Sequence, residues 1–218
     1  MRTAAWTESV SVLDRLSAVL DAFGEDSAGL TITEIARRAN LPKSTVSRLA
    51  ADLVDQGYLD REGARLHLGV RLFELGQGVE RPRRLRELAR HGMVQLRDAT
   101  GCHVQLAVAD GDDVIVIASA HGHGSHPPVA RMGERLLLGS AALDSALEAL
   151  RHGAAGAEIP SAFEHTRGGQ VCVASPVLER RRAVASLSAN GSSSSIDADA
   201  IAPLVRRTAA ALSRALAS

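Results

Sequence analysis

The residues most suited to chemistry lie in one short run. Arg37, Arg38, Lys43 and Arg48 bring four positive charges into twelve residues with no acid among them, and Ser44, Thr45 and Ser47 add hydroxyls between the last two cations. Guanidinium, ammonium and hydroxyl groups in that density match a surface of acceptors, such as phosphate oxygens and the base edges of a groove about 12 Å wide. Arg61 and Arg65 follow shortly and could reach a phosphate backbone or minor groove.

These side chains need a scaffold that turns them outward. Val10, Leu13, Leu16, Leu20 and Phe23 recur at helical spacing, and Gly24 is a plausible stop. Thr31 and Glu34 form a capping-box pattern that opens a second helix with Ile32, Ile35, Ala36 and Ala39 on its apolar side. Asn40-Leu41 is a tight link. Pro42 suits the start of a third helix, whose inward residues are Val46, Leu49, Ala50 and Leu53 and which ends near Gly57. Burying those four forces Lys43, Ser44, Thr45, Ser47 and Arg48 to the opposite side, next to the partial positive charge of the helix N-terminus. Tyr58–Arg61 and Arg65–Leu68 flank a Glu62-Gly63-Ala64 turn and read as a hairpin. Helix, helix, short link, helix and hairpin is the order of a winged helix-turn-helix. The plainer reading of the same pattern is a helical hairpin with a solvated charged face, or a dimerisation module.

Bulk charge does not decide between these readings. The 218 residues carry 25 basic and 25 acidic side chains, and residues 1–81 hold 10 basic against 12 acidic, a net of −2. A nucleic-acid case must therefore rest on local clustering. Lys43 is the single lysine, a bias of the whole chain that carries no functional weight. The apolar runs fall far short of the ~20 residues of a spanning helix, and no 7–15-residue apolar stretch of a signal peptide follows the N-terminus. The two cysteines, Cys102 and Cys172, form neither a CxxC pair nor a metal spacing, so a cytoplasmic protein with reduced thiols is expected.

The run Leu30–Leu49, with Tyr58-Leu59 and Leu66-His67-Leu68-Gly69-Val70-Arg71-Leu72-Phe73-Glu74-Leu75-Gly76 after it, resembles the IclR family of bacterial transcription regulators. The resemblance is close over the first ~80 residues. It implies a homodimer or homotetramer that binds a palindromic double-stranded operator, most often as a repressor. It also implies a C-terminal GAF-like domain that binds a small, often carboxylate-bearing, effector. The expected fold is α+β: a winged helix-turn-helix over 1–69, linker helices over 70–99 and a GAF-like α/β effector and oligomerisation domain over 100–218.

In the second half, Cys102–Ala109 and Val114–Ala118 read as paired strands around Asp110-Gly111-Asp112, Ala141–Leu150 as an amphipathic helix, Val171–Val177 and Val184–Ala189 as strands, and Ala198–Leu216 as a closing helix. By the resemblance, the Cys172–Val177 segment and the strand ending Ser188-Ala189-Asn190-Gly191 line the effector pocket. Cys172, Ser188 and Asn190 are the first contacts expected, with Gly139 and Ser140 beside them. Each also has an ordinary role, as a small buried residue or a turn former. The chain departs from the family pattern at Leu137, Gly139, Asp144 and Ser145, where Pro, His, Gly and Lys are usual, and its connection from Leu150 to Gln170 is short. A ligand-independent dimeric DNA-binding protein with a degenerate sensor is therefore the alternative. A sensor acting by protein contacts alone is a third reading.

Arg81-Pro-Arg-Arg-Leu-Arg-Glu-Leu-Ala-Arg90 sets five arginines against one acid. It reads as a solvated helix with Leu85, Leu88, Met93 and Leu96 packed on the second half, or as a phosphate contact through Arg83, Arg84 or Arg86. His121, His123 and His126 sit in a glycine-rich stretch without a fourth ligand and read as a surface loop. No GxSxG, HExxH or Walker loop occurs, and the Ser192–Ser195 run has no adjacent base, so neither an enzyme nor a cofactor is expected.

Overall fold

The computed structural model describes residues 11–24, 28–111, 113–123, 130–137, 163–167 and 169–217, with backbone alone at 137 and 163–167. The chain divides into two compact units, Met1–Val79 and Glu80–Ser218. The division falls inside the 70–99 stretch expected to connect two domains.

In the first unit, α1 (Val12–Asp21) begins at a capping box that the sequence reading did not pick out. Ser11 Oγ accepts from the Asp14 N–H at 3.0 Å and Asp14 accepts from the Ser11 N–H at 3.1 Å. The helix ends before Gly24, with Ala22 as its C-cap. Its inward side is Val19, Ala22 and Phe23, whereas Leu13, placed inward by its spacing, is 72% exposed. The helix α2 (Ile32–Ala39) has the expected box: Thr31 Oγ1 accepts from the Glu34 N–H at 3.3 Å, and Glu34 accepts from the Thr31 N–H at 2.8 Å. Asn40, at φ 53°, closes α2 in the left-handed region that asparagine tolerates. Pro42 is the N-cap of α3 (Lys43–Asp55), one position earlier than the first helical residue.

Strands β1 (Leu30–Thr31), β2 (Leu59–Glu62) and β3 (Arg65–Leu68) form an antiparallel sheet in the order β1-β3-β2. Its Leu30, Leu59 and Leu66 join Ile35, Val46, Ala50 and Leu53 in one core. Gly69 then caps α4 (Val70–Gln77), and a side chain there would run into the carbonyl of Gly57. No residue of α4 is buried.

Among the described residues, the second unit is a six-stranded antiparallel sheet with two helices on one face. The strands are β4 (His103–Asp110), β5 (Asp113–Ala120), β6 (Arg135–Leu137), β7 (Phe163–Arg167), β8 (Gln170–Glu179) and β9 (Arg182–Ser192), in the order β6-β5-β4-β9-β8-β7. The helices are α5 (Glu80–Thr100) and α6 (Ala198–Ala217). Helix α5 buries Leu85, Ala89, Met93 and Leu96, so Ala89 takes the place that Leu88, 39% exposed, was expected to fill. These residues share a core with Val104, Leu106, Leu187 and Ala189 from the strands and Ile201, Val205, Ala209 and Leu212 from α6. Two helices segregated on one face of an antiparallel sheet make this unit α+β. Ala141–Leu150, expected as a helix, lies outside the described residues.

Candidate nucleic-acid interface and ligand-facing sheet

Helix α3 exposes the residues the sequence singled out. Val46, Ala50 and Leu53 are buried, while Lys43, Ser44, Ser47 and Arg48 are exposed and Thr45 is half-buried. Unlike α1 and α2, α3 has no side-chain cap at its N-terminus. Its first intrahelical bond runs from Val46 N–H to Pro42 C=O at 3.0 Å. The amides ahead of Val46 therefore point out of the helix end beside Lys43 and two hydroxyls, which favours an anion there.

The other predicted cations differ among themselves. Arg37 and Arg61 are exposed. Arg38, also exposed, donates to the Ala22 carbonyl at 3.1 Å and so ties α2 to the end of α1. Arg65 donates to the Gly29 carbonyl at 2.7 Å and lies 3.7 Å from Glu34. Both have fastening contacts that leave less of the guanidinium for an outside acceptor. Arg71, which the sequence reading did not include, stacks over the Tyr58 ring at 5.6 Å.

On the second unit, the strand face turned away from α5 and α6 is polar and buried. Asn190 pairs in register with Cys172 on one side and His103 on the other, and Ser188 pairs with Ala174 and Gln105. Register alternation puts all of these side chains on one face. His103, Gln105, Ser186, Ser188 and Asn190 are each no more than 6% exposed. The fold thus brings together Cys172, Ser188 and Asn190, while Gly139 and Ser140 lie outside the described residues. Asn190 Nδ2 donates to Gln105 Oε1 at 3.1 Å, and Gln105 Nε2 donates to the Ala130 carbonyl. His103 Nδ1 accepts from the Gly122 N–H at 3.1 Å. The hydroxyls of Ser119 and Ser186 are buried without a hydrogen-bond partner among the described residues.

His103, Gln105, Ser119 and Ser186 were not among the residues expected at this site. The signal was present: polar residues at every second place of strands otherwise composed of Val, Leu and Ala. At the end of this face a cleft of about 390 Å³ is lined by His103, His123, Asn190, Ser192, Ser194 and Ser195, among others. Of the five predicted contacts, Gly139 and Ser140 lie outside the described residues and only Asn190 of the other three lines it; Cys172 is opposite Asn190 on β8 and Ser188 two residues back along β9. His123 is exposed and His126 lies outside the described residues. No group of three or more potential metal ligands occurs among the described residues. No described helix is long and apolar enough to cross a membrane.

Residues 12–63 match the IclR helix-turn-helix domain, which spans α1 through β2. Over most of its length the chain is similar to the HTH-type transcriptional regulator XynR of Escherichia coli, at 28% identity across 95% of this chain and 97% of that one. The helix-turn-helix domain of this chain belongs to the IclR family of transcriptional regulators. The chain is also 30% identical to the transcriptional repressor IclR of Escherichia coli, across 51% of this chain and 41% of that one. An IclR homologue from Microbacterium hydrocarbonoxydans, crystallised with 4-hydroxybenzoate, has the same fold: TM-score 0.83 at 23% identity, covering 94% of this chain and 99% of that one. The matched domain and the likeness of fold along the chain bear out the helix-turn-helix followed by an α/β domain that the sequence implied. The alignment with XynR runs over 245 positions, more than the 218 residues of this chain, so it opens gaps in it.

Proposed function

We propose that this regulator binds an operator as a homodimer, represses from it, and changes its grip when a small organic acid occupies the polar face of the six-stranded sheet. The observation that carries the DNA half is α3, with Val46, Ala50 and Leu53 sealed inward and Lys43, Ser44, Ser47 and Arg48 facing out beside an uncapped helix end. In this reading Ser44, Thr45, Ser47 and Arg48 meet base edges, and Lys43, Arg37 and Arg61 meet phosphates. Arg38 and Arg65 serve the interface mainly by holding α1, α2 and the hairpin in place.

A homodimer is supported by apolar residues left in water. Val12 and Leu13 on α1, and Val70, Phe73 and Leu75 on α4, are between 54% and 72% exposed. Two-fold pairing would cover such residues and repeat α3 at the spacing of successive major grooves. Repression is supported by similarity to a relative named as a repressor.

The effector reading rests on the buried hydroxyls and amides of Ser119, Ser186, Ser188, Asn190 and Gln105. The Ser119 and Ser186 hydroxyls, buried without partners among the described residues, suit a ligand with acceptor oxygens. A carboxylate with a hydroxyl elsewhere on the molecule, as in the 4-hydroxybenzoate of the Microbacterium homologue, would use both donors and acceptors. Cys172 would supply an apolar wall.

The test selects an operator from genomic fragments, then titrates it with the full chain over a range of salt concentrations. A sequence-specific complex whose affinity falls steeply with salt is expected. Salt-independent or absent binding would remove the DNA reading. Thermal-shift screening against hydroxylated organic acids then tests the sensor: no acid raising Tm and altering operator affinity would leave the ligand-independent dimer.

A further inference from the structure

Strands β8 and β9 are joined by a two-residue turn. Glu179 pairs with Arg182, and between them Arg180 and Arg181 have φ values of 48° and 65°. Two-residue hairpin turns with both central residues at positive φ take Asn-Gly or a similar pair, because a Cβ is disfavoured there. Asn40 is the one other non-glycine residue at positive φ among the described residues, and asparagine tolerates that region. Two adjacent arginines in this conformation are strained, and strain held at an exposed position points to use.

The turn does not stand alone. Arg84 lies 3.6 Å from Glu179, which brings the start of α5 against the base of the hairpin. Arg81, Arg84 and Glu179 line one cleft of about 300 Å³ together with Glu80. The nearby acids are mostly spent: Glu179 faces Arg84, and Glu87 faces Arg83 at 3.8 Å. Among the described residues Arg81, Arg180, Arg181 and Arg182 have no ion pair, leaving four unpaired arginines against Glu80. Arg180, Arg181 and Arg182 are exposed side by side.

We infer that the Arg180–Arg182 turn and the first turns of α5 form a second polyanion-binding surface, which takes the phosphate backbone of double-stranded DNA outside the stretch met by α3. Planar guanidinium groups pair with phosphate oxygens in bidentate fashion and carry no sequence preference. An acidic protein would satisfy the same charges. DNA is favoured because α5 begins at Glu80, directly after the unit that carries α3, so a bound duplex raises the local concentration of phosphate around this surface. The inference rests on the chain binding DNA through α3.

The experiment uses the full chain and a long random-sequence duplex, with affinity read by fluorescence anisotropy between about 50 and 200 mM salt. The double variant Arg180→Asn/Arg181→Gly removes two charges and supplies the pair the turn favours, so its Tm should equal or exceed that of the parent. Its affinity should fall most at the lower salt, with a loss about tenfold greater at about 50 than at about 200 mM, and its log–log salt slope should shrink by about two, one contact per lost arginine. Arg180→Lys/Arg181→Lys, which keeps the charge, should retain the parent slope. The same pair of losses should persist on top of Arg48→Ala. An unchanged slope in the Asn-Gly variant overturns the inference and leaves the surface to an acidic protein, with the α3 reading intact. A parent chain with no salt-dependent duplex binding overturns both.

Discussion

Asn190 and Gln105 stand 85 residues apart in sequence and share a buried hydrogen bond of 3.1 Å. It links the end of β9 to the beginning of β4 on the polar face of the sheet. Asn190→Leu removes the donor and leaves the Gln105 oxygen buried without one, at a cost of about 1–3 kcal/mol. Chemical denaturation should show that loss, with hydrogen exchange rising in β4 and β9. Operator affinity without effector should stay within twofold of the parent. A loss of operator binding in a folded variant would show that this bond serves DNA recognition instead.

Arg48 and Leu66 belong to the same small unit and should fail in opposite ways. Arg48 is exposed on α3, so Arg48→Ala should leave stability within about 0.5 kcal/mol and reduce preference for the operator over random duplex. If affinity falls equally for every sequence, Arg48 holds a phosphate rather than a base. Leu66 is fully buried in the wing sheet, packed in the core of the first unit. Leu66→Ala should cost about 2–5 kcal/mol, and binding should vanish only as the unit unfolds. Thermal melts run alongside anisotropy titrations separate the two.

Acid should loosen the α2 cap. The Thr31 backbone N–H, then its hydroxyl, hold the Glu34 carboxyl below the usual glutamate range. A carboxyl with its folded value depressed stabilises the fold fully above the unfolded value, about 4.3. That contribution drains away as pH falls through the lowered folded value. Glu34→Gln still offers an acceptor to the cap but cannot titrate, so stability should depend less on pH below about 4.3 in the variant than in the parent. Thr31→Ala should cost about 1 kcal/mol at neutral pH. Equal acid slopes in parent and Glu34→Gln would show that the carboxylate contributes nothing there.

Gly69 is fixed by space. Its N–H donates to the Tyr58 carbonyl at 2.8 Å, and a Cβ would meet the Gly57 carbonyl oxygen and the Tyr58 carbonyl carbon. Gly69→Ala should therefore destabilise the first unit by about 1–3 kcal/mol, as overpacking does. Gly63→Ala has open space around it, although its φ of 58° strains any side chain, and should perturb the β2–β3 turn alone. Hydrogen exchange at the α4 start, raised by the first change and not the second, checks the distinction.

The helix-turn-helix was legible because its punctuation is local. The Thr31–Glu34 box, Asn40, Pro42 and Gly63 each act within a few residues, and each stands where the pattern placed it or one residue away. The inward side of α1 was not legible. Apolar residues occur on both of its sides, and only packing against α2 and α3 selects Val19 over Leu13. In α5, Ala89 displaces Leu88 from the core for a similar reason. Gly92 comes close to Thr208 of α6, where a Cβ would lie 3.1 Å from its methyl group, and so narrow a gap favours small residues. The strand order in the second unit needs pairings between β4 and β9, some eighty residues apart, which no local pattern encodes. Cys172, Ser188 and Asn190 could be named from the family pattern, whereas alternation marked Gln105 and Ser186 as polar positions and only the register set them beside the other three.

Ala189 and Asn190 are neighbours in β9 that look in opposite directions. Ala189 shares a core with Met93 and Leu96 of α5, and Asn190 belongs to the polar side. A single layer of backbone therefore divides whatever settles on that floor from the long helix resting beneath it. No relay of side chains is required between them: a nudge to the strand from above is already a nudge to the helix below.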